Sequence, residues 1–149
     1  MSPRRHRIQK VIQHRGKELD RRVSTLAEQR AREAQAIEQA KRERAEAEQA
    51  SETRLKLAQE TTSAKDWIQA NEWHHSRLAR AELAEQHAVR AHVSTEQARA
   101  QVLSARSDLK KVEILSDRLS AEERAQAELR ERRLEDELSA LRFSQQRDK

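Results

Sequence analysis

The sequence predicts an all-α protein, a long two-helix antiparallel coiled-coil hairpin. Charged residues make up 38% of the 149-residue chain and hydrophobic residues only 35%, with one Gly, one Pro and one Phe. Large apolar side chains are too few to fill a multilayered core. The residues that replace them are mainly Ala, Glu, Gln, Arg, Lys and Leu, which are strong helix formers. The chain is therefore expected to be helical rather than disordered.

The first helix is predicted over residues 3–61. Ser2 can cap its first turn, and Pro3 suits the first helical position because its missing N–H is no loss there. Gly16 is a weak point, but the neighbouring helix formers outweigh its cost of about 1 kcal/mol. Apolar residues recur mostly three, four or seven apart and form one narrow stripe, as in a coiled-coil seam. The stripe contains Ile8, Ile12, Leu19, Val23, Leu26, Ala34, Ile37, Ala40, Ala47, Leu55 and Ala58.

A turn or hinge is predicted over residues 62–72, and a second helix over residues 73–145. Thr61, Thr62 and Ser63 compete for backbone hydrogen bonds, and Ser63 with Asp66 has the spacing of a capping box. The second helix also carries one stripe. It contains Leu78, Ala81, Ala88, Ala98, Val102, Ala105, Leu109, Val112, Leu119, Leu129, Leu134, Leu138 and Leu141.

Folding the two stripes against each other buries both, which makes the whole chain a single hairpin domain. The alternative architecture is one uninterrupted helix that dimerises in parallel. The polar turn near the midpoint favours the hairpin. The many Ala residues of the first helix bring helices close but bury little area, so the seam is expected to be weak.

Positive charge is concentrated in residues 1–22, which we call the basic N-terminal stretch. It has eight Lys or Arg and two acidic residues, which give it a net charge of +6. The net charge of the other residues is therefore −1. This predicts binding to an acidic protein surface; the alternative is a solvated helix end that binds nothing. The stretch lacks aromatic side chains for stacking on bases, and its apolar face is small. We therefore expect neither nucleic acid binding nor membrane insertion.

Both Trp residues lie near the predicted turn. We call Trp67, Ile68, Trp73 and Leu78 the turn-end cluster. Trp is enriched at the centres of protein interfaces, so the cluster is a candidate partner site. The alternative is that the rings only cover the open end of the hairpin.

Catalytic and metal-binding chemistry is not expected. The six His residues lack metal-ligand spacing, as with the adjacent His74 and His75, and the chain has no Cys. One Gly cannot build a phosphate-binding loop, and a two-helix rod offers no concave active site. We expect a non-enzymatic protein without a cofactor or metal. The absence of Cys and of an apolar span favours a soluble, intracellular protein.

Three segments carry a family resemblance. They are the W-I-x-x-x-x-W segment from Trp67 to Trp73, the segment Lys110-Lys111-Val112-Glu113-Ile114-Leu115, and the segment Arg132-Arg133-Leu134-Glu135-Asp136-Glu137-Leu138. Together with the length and the hairpin layout, they make the chain resemble the FliJ/YscO (SctO) family. These are the stalk proteins of flagellar and virulence type III secretion systems.

The resemblance implies a central stalk that couples the hexameric export ATPase to the export gate and promotes ATPase activity. The terminal end would enter the ATPase ring and the turn end would contact the cytosolic ring of the gate, with export chaperones as further partners. Such a protein is cytoplasmic and peripheral at the membrane base of the apparatus. The expected ATPase-binding residues are Arg4, Arg5, Arg7, Arg15, Arg21, Arg22, Arg132, Arg133, Asp136 and Glu137; the expected gate-binding residues are those of the turn-end cluster.

Two other functions remain compatible with the residues. One is a generic scaffold coiled coil, which could be a parallel homodimer. The other is an RNA- or ribosome-associated hairpin that uses the basic N-terminal stretch. The sequence also leaves open whether a flagellar or a virulence system is served.

Overall fold

Two long helices make up the computed structural model, which describes residues 2–60 and 63–148. Helix α1 spans Pro3–Gln59 and helix α2 spans Ala64–Arg147. No strand occurs in those two ranges. Helix α1 begins as expected, because Ser2 Oγ accepts the backbone N–H of Arg5 at 3.2 Å and the Ser2 carbonyl accepts that of His6 at 3.0 Å.

The connection between the helices is shorter than the predicted turn over residues 62–72. Helix α2 begins at Ala64 rather than near residue 73. The reason is local capping: Ser63 Oγ accepts the backbone N–H of Asp66 at 3.3 Å, and the Ser63 carbonyl accepts that of Trp67 at 3.3 Å. Thr61 and Thr62, where the sequence predicts the break, lie outside the described residues.

The chain divides into two units, one of residues 20–104 and one of residues 1–19 with 105–149. In the first unit, the partner on α2 has a lower residue number as the residue number on α1 rises: Arg22 bonds to Gln101, and Arg54 bonds to Asn71. In the second, Ser2 Oγ donates to Glu123, and the Arg5 guanidinium lies 3.9 Å from the Glu123 carboxylate. The helices therefore pair antiparallel within one chain, as the hairpin prediction requires.

The seam between the helices follows a regular repeat of seven. Its side chains are buried or half-buried at alternating steps of three and four residues, the pattern of a coiled coil. On α1, from Leu19 onward, they are Leu19, Arg22, Leu26, Gln29, Glu33, Ala36, Ala40, Glu43, Ala47, Ala50, Arg54 and Leu57. On α2 they are Ala70, His74, Arg77, Ala81, Ala84, Ala88, Ala91, Thr95, Ala98, Val102, Ala105, Leu109, Val112, Ser116, Leu119 and Glu123.

Part of the predicted apolar stripe of α1 is wrong. Val23, Ile37 and Leu55 are 43%, 41% and 55% exposed, and Ala34 is exposed as well. Glu33 and the smaller Ala36 occupy the seam instead. Counting apolar residues misses this register, because polar side chains hold some seam positions by pairing across the helices.

Small side chains dominate the centre of the seam. Ala81 is 0% exposed, and Ala47 and Ala50 are 3% and 4% exposed. Thr95 is also buried, and its hydroxyl donates to the carbonyls of Gln29 at 3.3 Å and Ala91 at 3.0 Å. Alanine allows close helix approach but buries little apolar area, so cross-helix polar contacts carry part of the pairing.

Candidate functional site

The first arginines of the basic N-terminal stretch are divided between solvent and the seam. Arg4, Arg7 and Arg15 are exposed, whereas Arg5 is half-buried beside Glu123. The Arg5 Nε atom is buried and makes no hydrogen bond. Three of these four guanidinium groups are therefore open to an acidic partner, and the fourth contributes to helix pairing.

The remaining two arginines of that stretch also differ. Arg21 is exposed, and its backbone carbonyl accepts the Thr25 hydroxyl at 3.0 Å. Arg22 is half-buried, and its Nη1 donates to Gln101 Oε1 of α2 at 2.8 Å. Arg22 is thus engaged in helix pairing, which makes Arg21 the better candidate for an external contact.

The last part of α2 continues past the pairing with α1. Glu123 is the last half-buried residue, and every residue from 124 to 148 is exposed. We call residues 124–148 the C-terminal segment. Its predicted site residues Arg132, Arg133, Asp136 and Glu137 make no contact with the arginines of α1 among the described residues. Arg132 lies nine residues beyond Glu123, about 13 Å along the helix axis.

Exposed apolar side chains are the main feature of the C-terminal segment that sequence reasoning missed. Leu129, Leu134, Leu138, Leu141 and Phe143 are between 53% and 67% exposed, whereas the apolar spacing predicts that the leucines belong to the stripe that pairs with α1. Leu134, Leu138 and Leu141 are spaced four and three apart and share one face. Extended past Glu123, the seam repeat falls on Gln126, Arg130, Arg133 and Glu137, so these leucines lie off the seam face.

The turn-end cluster is largely open to solvent. Trp67, Ile68 and Trp73 are 41%, 50% and 54% exposed, and Leu78 is half-buried. All four lie in the first turns of α2. Neither Trp ring is buried in the hairpin end, so both offer area to a partner.

Trp73 also belongs to a cross-helix cluster. The Arg77 guanidinium lies over the Trp73 ring, 4.6 Å from the ring centroid. Its Nη1 lies 2.8 Å from Glu46 Oε2 and 3.7 Å from Glu43 Oε2 on α1. The ring therefore helps to hold an arginine that joins the two helices.

Two further polar contacts join the helices in the unit of residues 20–104. Arg44 forms a bidentate pair with Glu85, with donor–acceptor distances of 2.8 and 2.7 Å, which lowers the pKa of the Glu85 carboxyl and raises that of the Arg44 guanidinium. Glu33 Oε1 lies 2.7 Å from His92 Nδ1. The hydrogen bond with His92 lowers the pKa of the Glu33 carboxyl, and Thr95 adds to the effect. These polar contacts help to hold α1 and α2 together.

Neither helix, over the described ranges, contains a stretch apolar enough and long enough to cross a membrane. Within the same ranges, no group of three or more His, Asp or Glu side chains is arranged to hold a metal ion.

The comparisons with known proteins give one family. A search of the curated proteins and a search of the solved structures found no match. The family model described as flagellar FliJ protein matches residues 4–148. This match covers both helices, including the C-terminal segment and the turn-end cluster. The chain therefore belongs to the FliJ family of structural components of the flagellar and type III export apparatus.

Proposed function

We propose that this protein is a central-stalk component of a type III protein export apparatus. It couples a hexameric export ATPase to the export gate and promotes ATPase activity, without catalysing a reaction itself. The protein works in the cytoplasm, at the membrane base of the apparatus, and export chaperones are further candidate partners. Membership of the FliJ family supports the assignment to this apparatus.

The observation that carries the ATPase part of the proposal is the C-terminal segment. It presents leucines at coiled-coil spacing that no other described residue of the chain covers. Most of the stability of a helix with one apolar face comes from packing that face against a partner. The ATPase ring supplies that partner. Arg132, Arg133, Asp136 and Glu137 lie on the same segment and provide polar contacts beside the leucines.

The basic N-terminal stretch supplies long-range attraction to the ring. Arg4, Arg7, Arg15 and Arg21 are exposed and carry the charge that an acidic pore attracts. Arg5 and Arg22 contribute mainly by fixing α1 against α2. Such attraction weakens as salt shortens the range of electrostatic interactions.

The turn-end cluster is the proposed contact with the cytosolic ring of the export gate. Trp67 and Ile68 lie next to the connection between the helices and are about half exposed. Aromatic side chains with this exposure bury large areas when a partner covers them. Trp73 adds a second ring but also supports Arg77.

The ATPase proposal is tested by measuring stimulation of the cognate export ATPase in low salt. A chain truncated after residue 124, and the variant Arg4→Glu/Arg7→Glu, should each stimulate several-fold less than the wild type. The loss caused by the arginine variant should shrink as salt is added. Arg30→Glu, an exposed charge reversal further along α1, is the control. Unchanged stimulation by both test proteins would overturn the proposal.

The gate proposal is tested with Trp67→Ala, because Trp67 is not part of the Arg77 cluster. Binding to the purified cytosolic domain of the gate should weaken about tenfold or more, as for a binding hot spot, while ATPase stimulation stays at the wild-type level. Equal loss of both activities would indicate that Trp67 has a structural role and would contradict the proposal. Trp73→Ala should reduce gate binding and also lower the thermal stability.

A further inference from the structure

We propose that a basic groove along one flank of the hairpin binds an acidic α-helix of a partner protein. The groove lies between α1 and α2 in the unit of residues 20–104 and has a volume of about 740 Å³. Ala36 and Ala91 are at its floor, and Arg32, Arg42, His87 and Arg90 line it. It is separate from the C-terminal segment, the basic N-terminal stretch and the turn-end cluster.

The ionisable side chains that line the groove are all basic. Its lining contains three arginines and a histidine and no carboxylate. Arg32, Arg42 and Arg90 form no hydrogen bond or ion pair with any residue that the structure describes. By contrast, Arg44 lies about 200° further round α1 from Arg42, and it is satisfied by Glu85. The positive charge of this flank is therefore left for an external anion.

The shape of the groove suits a helix. Arg32 and Arg42 are ten residues apart on α1, about 15 Å or nearly three helical turns. Gln35 and Gln39 lie between them on the same face, at steps of three and four residues. The alanine floor lets a third helix come close to both α1 and α2. A partner helix with carboxylates three and four residues apart could reach these arginines, which bind carboxylates through two hydrogen bonds.

A protein helix fits these observations better than a nucleic acid. Single-stranded nucleic acids are usually held by aromatic side chains on which bases stack, and the groove lining has no Phe, Tyr or Trp. The amide side chains of Gln35 and Gln39 lie between Arg32 and Arg42 and can hydrogen-bond to the polar face of a helix. The groove also extends over about three turns of α1, beside the antiparallel α2.

The test measures fluorescence anisotropy of a labelled synthetic helical peptide with the full-length chain in low salt. The peptide is built from Ala, Glu and Leu, with Glu residues three and four positions apart along one face. The wild type should bind it, and Arg32→Glu/Arg42→Glu/Arg90→Glu should bind at least tenfold more weakly. The matched control is Arg30→Glu/Lys41→Glu/Arg106→Glu, which makes the same charge change outside the groove and should bind within about twofold of the wild type.

Three results would overturn the proposal: no binding by the wild type, equal weakening by the groove and control variants, or a preference for a polyanion. The last is measured with single-stranded RNA and inorganic polyphosphate as competitors. If either displaces the peptide and depends on the same three arginines with higher affinity, the groove is a polyanion site. Should the triple variant unfold, Arg32→Gln/Arg42→Gln/Arg90→Gln replaces it. ATPase stimulation and gate binding play no part in this test, so its outcome is independent of the proposed stalk function.

Discussion

Arg77 combines ion pairs across the helices with an aromatic contact on its own helix. Its guanidinium contacts Glu46 and Glu43 and lies over the Trp73 ring, and only 17% of the side chain is exposed. One oxygen of Glu43 is buried without a hydrogen bond, so the positive charge nearby compensates it. Arg77→Ala should therefore lower the free energy of unfolding by about 1–3 kcal/mol.

The measurement for Arg77→Ala is urea unfolding followed by circular dichroism. Arg77→Lys keeps the charge but loses the planar stack, so its effect should be intermediate. Arg80→Ala, an exposed position on the same helix, should change the free energy of unfolding by less than about 0.5 kcal/mol. Equal effects of Arg77→Ala and Arg80→Ala would show that the cluster adds nothing.

Glu33 gives the hairpin an acid-sensitive contact. Its carboxyl pKa is lowered from 4.5, first by the hydrogen bond with His92 and then by Thr95. A carboxyl whose pKa is lowered by folding stabilises the fold above its unfolded pKa, and this stabilisation is lost as the pH falls through the folded pKa. Wild type and Glu33→Gln should therefore differ in thermal midpoint at about pH 6, and the difference should shrink as the pH falls through the lowered pKa of the Glu33 carboxyl. The exposed Glu28→Gln should follow the wild type throughout; a constant gap for Glu33→Gln would contradict the coupling.

At the scale of the helices, the alanine seam fixes how closely α1 and α2 approach. Ala81 is 0% exposed, whereas Ala79 on the same helix is exposed. A larger side chain at a fully buried position forces the backbones apart, at a cost of about 1–3 kcal/mol. Ala81→Leu should lower the urea midpoint, and Ala79→Leu should leave it nearly unchanged. A higher midpoint for Ala81→Leu would mean that the seam has room for larger side chains.

The C-terminal segment should be the least protected part of either helix. Its residues pack against no other described part of the chain, and an unsupported helix opens easily. In hydrogen exchange followed by mass spectrometry, amides of residues 125–148 should exchange much faster than those of residues 95–119. Adding the cognate ATPase should slow exchange in the segment. Equal protection of the two regions in the isolated protein would show that the segment is already covered.

The helices themselves could be predicted from the sequence because their causes are local. Ser2, Pro3 and Ser63 provide capping chemistry within one turn, and the helix formers fill the rest. The seam register could be predicted only in part, since Glu33 and Glu43 occupy core positions through partners on the other helix. The end of pairing at Glu123 depends on where α1 begins, and that is a property of two distant segments. The exposure of Leu134, Leu138 and Leu141 follows from it and is invisible to apolar periodicity alone.

At the scale of the whole molecule, antiparallel pairing within one chain can be tested by cross-linking. The natural chain has no Cys, so introduced thiols are the only ones present. Arg44 and Glu85 meet across the helices, and both side chains are partly exposed. Arg44→Cys/Glu85→Cys treated with a short bis-maleimide should give a monomer whose tryptic digest contains a peptide joining residues 44 and 85.

The single variant Arg44→Cys separates the hairpin from a parallel dimer. In a parallel dimer, position 44 of one chain lies beside position 44 of the other, so the reagent would join two chains. In the hairpin, position 44 faces position 85 of its own chain, and Arg44→Cys alone should remain monomeric at low protein concentration. A covalent dimer of Arg44→Cys, together with loss of the 44–85 peptide in the double variant, would contradict the intrachain pairing. The stalk proposal depends on that pairing, because it brings the basic N-terminal stretch of α1 and the end of α2 toward the same partner.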